Sequence, residues 1–254
     1  MVMSLIDAHS HIHEAGFPFS PAETLENAHR NGVDKVIVVG TTVKDSALAV
    51  KFAKEHDEVF ALIGIHPGEI VDGGAAELEK IINGSSKVVG LGDVGLDYHY
   101  GESSNSPTEQ KKLLREMLKL AVKYDLTVSF HVRDAFADFW KIFDEFNGKI
   151  KGVLHCFGGS KEDLQKAFKR GLFIGVSGVV TFADSLQKII QKCPLDRVIL
   201  ETDAPWLTPV PFRGKPNQPT YVFEIAKFLA KLYRVDISEV AKVTTANTKR
   251  LFGI

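Results

Sequence analysis

Short apolar runs alternate with longer amphipathic segments along most of this chain. Eight runs have the length, the β-branched content and the flanking turn residues of β-strands: residues 4–9, 35–40, 59–65, 88–93, 127–132, 152–157, 172–176 and 197–202. Between them, apolar residues recur at the three- and four-residue spacing of helices in residues 22–31, 46–56, 110–124, 136–146, 161–170 and 185–192. The pattern predicts strands connected by helices.

Strict alternation of strand and helix calls for a parallel sheet. Eight repeats within 254 residues match the closed (β/α)8 barrel, an α/β fold. The chain shows no low-complexity tract or Ser/Gly linker that would mark a boundary, so we expect residues 1–254 to form a single domain. An open doubly wound sheet is the alternative. That fold usually has a glycine-rich turn after its first strand, where this chain has His9-Ser10-His11.

Histidine and aspartate recur at the ends of the predicted strands. His9 and His11 share one face of the first strand, so their imidazoles can bind one cation together. A lone His-x-His pair also fits two surface histidines, because the motif by itself is weak. Further residues of ligand type follow later strands, namely His66, Asp93, His131, His155 and Asp203. In a barrel these strand ends converge on one mouth, where we expect the side chains to meet.

Composition limits the classes of function and location. The chain is 44% hydrophobic with a formal net charge of -1, so no overall basic field attracts nucleic acid. Two cysteines are too few for a disulfide framework, and neither a signal peptide nor a long apolar run is evident. We therefore expect a cytoplasmic monomer that does not enter a membrane. Cys156 alternates with His155, so its thiol is expected to point away from the mouth.

Six short motifs occur in one order along the chain: Asp7-Ala8-His9-Ser10-His11, Gly64-Ile65-His66-Pro67, Gly92-Asp93-Val94-Gly95-Leu96-Asp97-Tyr98, Phe130-His131-Val132-Arg133, His155-Cys156-Phe157 and Glu201-Thr202-Asp203-Ala204-Pro205. Together they resemble the TatD family of metal-dependent deoxyribonucleases over essentially the whole chain. The resemblance implies a (β/α)8 barrel with one or two divalent cations, Mg, Mn or Zn. It also implies hydrolysis of DNA phosphodiesters at single strands or ends, as an exonuclease does.

The resemblance further implies roles for individual residues. His9, His11 and Asp203 correspond to ligands of one cation, and His131 and His155 to ligands of the second. Asp93 takes the bridging position, where the family usually has glutamate, a side chain longer by one methylene. Asp93 and Asp203 are thus the expected catalytic carboxylates. Asp203 either accepts the proton of the attacking water or acts as a ligand alone.

Four further residues are candidates for contacts around the cations. His66 resembles a family histidine near the substrate phosphate. Arg133 lies two residues after His131 on the same face, and its guanidinium suits either a phosphate or a structural salt bridge. Arg213, in a loop that resembles the family's loop after the last strand, is a second candidate phosphate contact. Glu201 lies two residues before Asp203 and can accept a hydrogen bond from a ligand histidine.

Two other functions use similar residues. A hydrolase of a carbonyl ester or amide, such as an aminoacyl-tRNA deacylase or an amidohydrolase, needs the same cation and the same activated water. A metal-stabilised binding protein fits poorly, because structural zinc sites are closed cages that are usually rich in cysteine. Nucleic acid is favoured by residues expected at the rim that can hold phosphates or stack on bases: Arg133, Arg213, Lys215, Tyr98, Tyr100, Trp206 and Phe212.

Overall fold

Eight parallel strands form one sheet in which each strand pairs with the next along the chain. The computed structural model describes residues 4–70, 74–99 and 105–254, so the predicted rim residue Tyr100 lies outside the described residues. The strands are β1 Leu5–Ser10, β2 Val33–Val39, β3 Val59–Ile63, β4 Val88–Asp97, β5 Thr127–Arg133, β6 Gly152–Leu154, β7 Phe173–Val176 and β8 Val198–Leu200. The predicted (β/α)8 architecture is confirmed.

The barrel closes at the carboxyl ends of its strands. The segment that follows β8 runs beside β1, where Ser10 and Ala204 form a parallel bridge. The His11 amide donates to the Ala204 carbonyl at 2.8 Å, and the Asp203 amide donates to the His9 carbonyl at 2.9 Å. These bonds place Asp203 directly beside the two histidines of the first motif.

Helices cover the outside of the sheet. They are α1 Pro21–Arg30, α2 Val43–Glu55, α3 Gly74–Asn83, α4 Pro107–Tyr124, α5 Phe136–Asp144, α6 Lys161–Lys169, α7 Asp184–Ile190, α8 Val222–Tyr233 and α9 Ile237–Phe252. The sequence prediction missed α3, α8 and α9. Within the described ranges, no helix is long and apolar enough to cross a membrane.

The strands are buried on both faces, as parallel strands in a barrel must be. All six residues of β1 are buried, including the polar Asp7, His9 and Ser10. Outside the sheet, Phe130 of β5 packs edge-on against Phe139 and Phe143 of α5. The apolar core therefore lies between sheet and helices, while polar side chains of the strands reach the barrel interior.

β4 is longer and less regular than the sequence predicts. Leu91 pairs with Val128 and Val94 with Phe130, so β4 carries one more residue than β5 over this interval. A bulge of this kind changes the direction of a side chain within a strand. The strand then continues to Asp97, where the prediction ended it at Asp93. Gly95 is required here, since a Cβ would lie 1.7 Å from the His131 carbonyl oxygen.

Candidate metal centre

A cavity of about 1140 Å³ opens at the carboxyl ends of the strands. Among the residues that line it are His11, His66, Asp93, His131, His155 and Asp203. His9 is completely buried and contacts the same group from below, with its Nε2 3.7 Å from Asp93 Oδ2. The structure thus brings together the seven histidine and aspartate residues that the sequence predicted at the mouth.

Four of these residues form what we call the inner half of the site: His9, His11, His155 and Asp203. The Oδ1 atom of Asp203 lies 3.6 Å from His11 Nε2, 3.6 Å from His155 Nε2 and 3.9 Å from His9 Nε2. The rings of His9 and His155 stack with their centroids 3.5 Å apart. Because three imidazole nitrogens face one carboxylate oxygen, this half is a compact set of nitrogen and oxygen donors.

A second group, the outer half, consists of His66, Asp97 and His131. Asp97 Oδ2 lies 2.8 Å from His131 Nε2, within hydrogen-bond distance. The His66 ring contacts the His131 ring edge-on, with centroids 4.5 Å apart. The His131 side chain is 20% exposed, whereas that of His9 is fully buried. Sequence reasoning gave Asp97 no role, because the predicted strand ended at Asp93, whereas β4 continues to Asp97.

Asp93 lies between the two halves. Its Oδ2 faces His9 Nε2 at 3.7 Å and its Oδ1 faces His131 Nδ1 at 3.8 Å. The extra residue of β4 lies at this point of the strand, so the position of the backbone contributes to the reach of the carboxylate. An aspartate, one methylene shorter than the glutamate expected from the family, therefore faces both halves.

The donor atoms fit a divalent cation. His9 Nε2 and Asp93 Oδ1 are buried, and neither has a hydrogen-bond partner within the described part of the chain. The Nδ1 of His9 lies 3.2 Å from the Ser129 hydroxyl, which leaves Nε2 directed at the carboxylates. Donor atoms within 4.8 Å of one another occur in His9–His11–Asp93, His9–His155–Asp203 and Asp93–His131–His155. Imidazole and carboxylate are ligands that zinc and manganese accept.

The electrostatics agree with a site for positive charge. Burial by itself raises the pKa of a carboxyl group, but the neighbouring histidines together outweigh it, with His9 foremost at Asp93 and His11 foremost at Asp203. The pKa of both carboxyl groups is therefore lowered, and both are ionised at neutral pH. Although burial opposes it, the carboxylates of Asp203 and Glu14 raise the pKa of His11 to about 10. A bound cation would take the place of that proton.

Two buried acidic side chains support the inner half from below. Asp7 accepts hydrogen bonds from the Thr202 amide at 2.8 Å and the Thr202 hydroxyl at 2.6 Å, which ties β1 to the segment that carries Asp203. Glu201 Oε1 lies 3.1 Å from His155 Nδ1. A Cβ on Gly175 would lie 2.6 Å from Glu201 Oε1, so glycine at this position of β7 makes room for the carboxylate.

The expectation for Cys156 is wrong. It was predicted to point away from the mouth, yet it lines the cavity. β6 ends at Leu154, so strand alternation no longer applies, and the backbone at Cys156 adopts a positive φ of 41°. Burial raises the pKa of the thiol well above its ordinary value, so the group is protonated at neutral pH and is not a nucleophile.

Two of the three candidate substrate contacts, His66 and Arg133, line the cavity, and the third, Arg213, is not among its described lining residues. His66 lines the cavity, its Nδ1 accepts a hydrogen bond from the Gly68 amide at 3.0 Å, and burial lowers its pKa to about 4. Arg133 is exposed and also lines the cavity. Arg213 is not one of the lining residues found in the described ranges. Its guanidinium lies 3.9 Å above the Phe182 ring and donates to the Thr208 carbonyl at 3.1 Å.

Of the predicted rim aromatics that the structure describes, Trp206 lines the cavity and the others pack elsewhere. Trp206 lines the cavity, half exposed, with its ring 5.1 Å from that of His11. Tyr98 instead donates its hydroxyl hydrogen to Asp138 at 3.1 Å, and Phe212 stacks on Tyr221 at 4.3 Å. Trp206 is therefore the rim aromatic best placed to meet a substrate.

Comparison with known proteins agrees with this centre. The family model for TatD related DNase matches residues 6–253. The chain is 35% identical over 255 residues to the uncharacterized metal-dependent hydrolase YabD of Bacillus subtilis, covering 98% of this chain and 99% of the relative. It is 32% identical over 259 residues to the 3'-5' ssDNA/RNA exonuclease TatD of Cronobacter sakazakii, covering 98% and 97%.

A solved structure shows the same architecture. The crystal structure of YJJV, a TatD homologue from Escherichia coli K12, superposes with a TM-score of 0.90 at 31% identity and covers 100% of both chains. The resemblance seen in the sequence motifs is confirmed. The chain belongs to the family of TatD-related DNases and is a metal-dependent hydrolase that acts on ester bonds.

Proposed function

We propose that the chain hydrolyses phosphodiester bonds at the ends of single-stranded DNA, with one or two divalent cations at the candidate centre. The observation that carries the proposal is the position of Asp93, whose two oxygens face His9 and His131 across an open cavity. The relative named as a 3'-5' ssDNA/RNA exonuclease supports the same substrate class.

The proposed ligands are those that the family resemblance implies, and His155, whose Nε2 lies 3.6 Å from Asp203 Oδ1, belongs to the inner half although the resemblance assigns it to the second cation. His9, His11 and Asp203 would hold one cation, His131 and His155 the other, and Asp93 would contact both. Divalent cations in such a centre would neutralise phosphate charge and lower the pKa of bound water, so that hydroxide forms at neutral pH. Glu201, 3.1 Å from His155 Nδ1, would hold that ring in position from below.

Residues of the chain itself would perform the remaining steps. Asp203 reaches the cavity and is ionised at neutral pH, so it can accept the proton of the attacking water. His66 is neutral because its pKa is about 4, and its Nδ1 is already an acceptor, so Nε2 carries the hydrogen that it can donate to a phosphate oxygen. The Arg133 guanidinium can bind two phosphate oxygens at once.

The test is hydrolysis of end-labelled single-stranded DNA and RNA by chelator-treated protein, with Mg²⁺, Mn²⁺ or Zn²⁺ added back separately. An aminoacyl ester serves as the competing substrate, because a hydrolase of carbonyl esters would use the same centre. We expect metal-dependent shortening of the DNA from one end, with little turnover of the ester. Metal-dependent cleavage of the ester alone would contradict the proposal.

A further inference from the structure

Three exposed apolar side chains lie on two loops that also contribute residues to the lining of the cavity. Seven large hydrophobic residues of the described chain are exposed, and three of them, Phe182, Trp206 and Val210, lie on the loops that follow β7 and β8. Their exposed fractions are 40%, 50% and 46%. Exposed apolar side chains that lie singly need no explanation, whereas several on neighbouring loops are a candidate binding surface.

The two loops form one continuous surface. The Val210 amide donates to the Thr181 hydroxyl at 2.9 Å, and a Cβ on Gly178 would lie 2.0 Å from the Leu207 carbonyl oxygen. Val179, Trp206 and Leu207 also line the cavity. We call this surface the apolar ledge and define it by five residues: Val179, Phe182, Trp206, Leu207 and Val210. It begins at the inner half of the site, where Trp206 meets His11.

Arg213 belongs to the same surface. Its guanidinium lies 3.9 Å from the centroid of the Phe182 ring, and Arg213 is exposed. A guanidinium stacked on an aromatic ring presents a flat, positively charged face to solvent. Flat faces of this kind are the ones on which unpaired bases stack. Arg213, which the sequence predicted as a phosphate contact, therefore lies against Phe182 and is not among the described residues that line the cavity.

The charges of the cavity indicate how a nucleic acid would be held. Arg133 is the sole lysine or arginine among the described lining residues, whereas the carboxylates of Glu14, Glu69, Asp134 and Asp163 also line it. The undescribed residues 71–73 and 100–104 contain no lysine or arginine. Away from the proposed cations, a strand bound here meets few positive side chains, so contacts with its bases would contribute to the affinity there.

We propose that the apolar ledge is a stacking platform for the unpaired bases of a single strand of nucleic acid, which runs from the cavity over the loops after β7 and β8. The proposal rests on the proposed function of the centre. Paired bases have their faces covered by their neighbours, so the ledge would favour single strands over duplexes. Stacking on Trp206 and Phe182 would select single strands without recognising the base sequence, because every base has a flat face.

Steady-state kinetics with two substrates test the ledge. The variants are Phe182→Ala and, as a matched control, Phe19→Ala, which removes a 38% exposed phenylalanine that does not belong to the ledge. Bis(4-nitrophenyl) phosphate probes the centre, and an oligothymidylate of about 12 nucleotides probes centre and ledge. We expect Phe182→Ala to raise KM of the oligonucleotide by about 5- to 10-fold relative to the small diester, the effect of losing one stacking contact. Phe19→Ala should give the wild-type ratio.

Fluorescence gives a second readout that does not need turnover. The chain has two tryptophans, and Trp140 is buried with 4% exposure, so quenching by oligothymidylate reports on Trp206. Binding should quench this fluorescence, and Phe182→Ala should weaken the binding. If wild-type protein cleaved the small diester but not the oligonucleotide, the proposed function would fail, and quenching would still test the ledge. An unchanged KM ratio in Phe182→Ala or an absence of quenching would each overturn the proposed role of the ledge. A wild-type dimer in sedimentation that Phe182→Ala converts to monomer would also overturn it, because a second copy of the chain would then cover the ledge.

Discussion

The inner and outer halves of the centre are built in different ways. His9 lies in β1 and His11 directly follows it, His155 follows β6 and Asp203 follows β8, so the inner half lies where the barrel closes. The outer half comes from β4, β5 and the loop after β3. Asp7, Ser129 and Glu201 support the inner half from outside it. The side chain of His131, by contrast, contacts Asp97 and His66, which belong to the outer half itself.

This difference indicates which half is better preorganised. Ligand side chains held by buried neighbours lose little conformational entropy when a cation binds. An exposed side chain loses more, because binding must first fix its rotamer. Ring stacking and full burial fix His9, while His131 keeps a 20% exposed side chain and relies on one carboxylate. We therefore expect tighter binding of a cation in the inner half than beside His131. Substitutions in each half test this expectation.

The largest effect is expected for Asp203→Asn in the inner half. The amide keeps the shape of the side chain but cannot accept the proton of water, and it removes a negative charge that faces three histidines. We expect kcat to fall by about 10²- to 10⁴-fold, the usual contribution of a general base. Steady-state kinetics on single-stranded DNA measure the fall, and circular dichroism checks the fold. Activity within tenfold of wild type would show that Asp203 is at most a ligand.

A smaller effect is expected for Asp97→Asn in the outer half. Removing the carboxylate that orients a ligand histidine typically lowers metal affinity or activity by about 10- to 100-fold. Asp134→Asn is the matched control, because Asp134 also lines the cavity and contacts a histidine, His99, at 3.0 Å, but that pair is largely exposed. Activity as a function of metal concentration should shift in Asp97→Asn and not in Asp134→Asn. Equal shifts in both would mean that general negative charge, and not the orientation of His131, is what matters.

Asp93→Glu tests the connection between the halves. Asp93 already faces both His9 and His131 and is only 5% exposed, so an added methylene must push against packed neighbours. We expect activity to fall several-fold. We also expect the free energy of unfolding to fall by about 1–3 kcal/mol, the usual cost of overpacking a buried site. Activity at limiting metal and thermal unfolding measure the two effects. Higher activity at limiting metal would show instead that the aspartate is too short to bridge.

The smallest effect is expected for Asp138→Asn, which removes a carboxylate close to the outer half but outside it. Contacts with Lys141 and Lys111 lower the pKa of Asp138 to about 2. A carboxyl group whose pKa is lowered by folding stabilises the protein above its ordinary pKa, and this contribution is lost as pH falls through the lower value. Asp138→Asn should therefore lower the free energy of unfolding by less than about 1 kcal/mol near pH 6, and the difference should shrink as pH falls towards 2 and vanish below it. Urea unfolding across this range measures it, and a change in turnover would place Asp138 in the site.

Much of the inner half was predictable because it depends on local rules. Strand alternation placed His9 and His11 on one face, and the convergence of strand ends in a barrel placed His155 and Asp203 beside them. The eight strands followed from their apolar runs. Helices α8 and α9 lie after the last strand, where the alternation that guided the prediction had ended.

The outer half was less predictable because it depends on pairing between strands. The bulge at residues 92–93 is defined by the register of β4 against β5, and a single sequence does not show register. Without the extension of β4 to Asp97, the contact with His131 could not be inferred. The stacking of Arg213 on Phe182 joins the loops after β7 and β8. The sequence of each loop does not show how close the two loops lie in the folded chain.

The most direct test of the central claim is calorimetric titration of Mn²⁺ into chelator-treated wild-type protein and Asp97→Asn. If the inner half is the better organised donor set, wild-type protein binds Mn²⁺ in two steps of clearly different affinity, and Asp97→Asn weakens only the weaker step. A single class of sites, two equal affinities, or an equal loss of both steps in Asp97→Asn would contradict the division of the centre into a tight inner half and a weaker outer half.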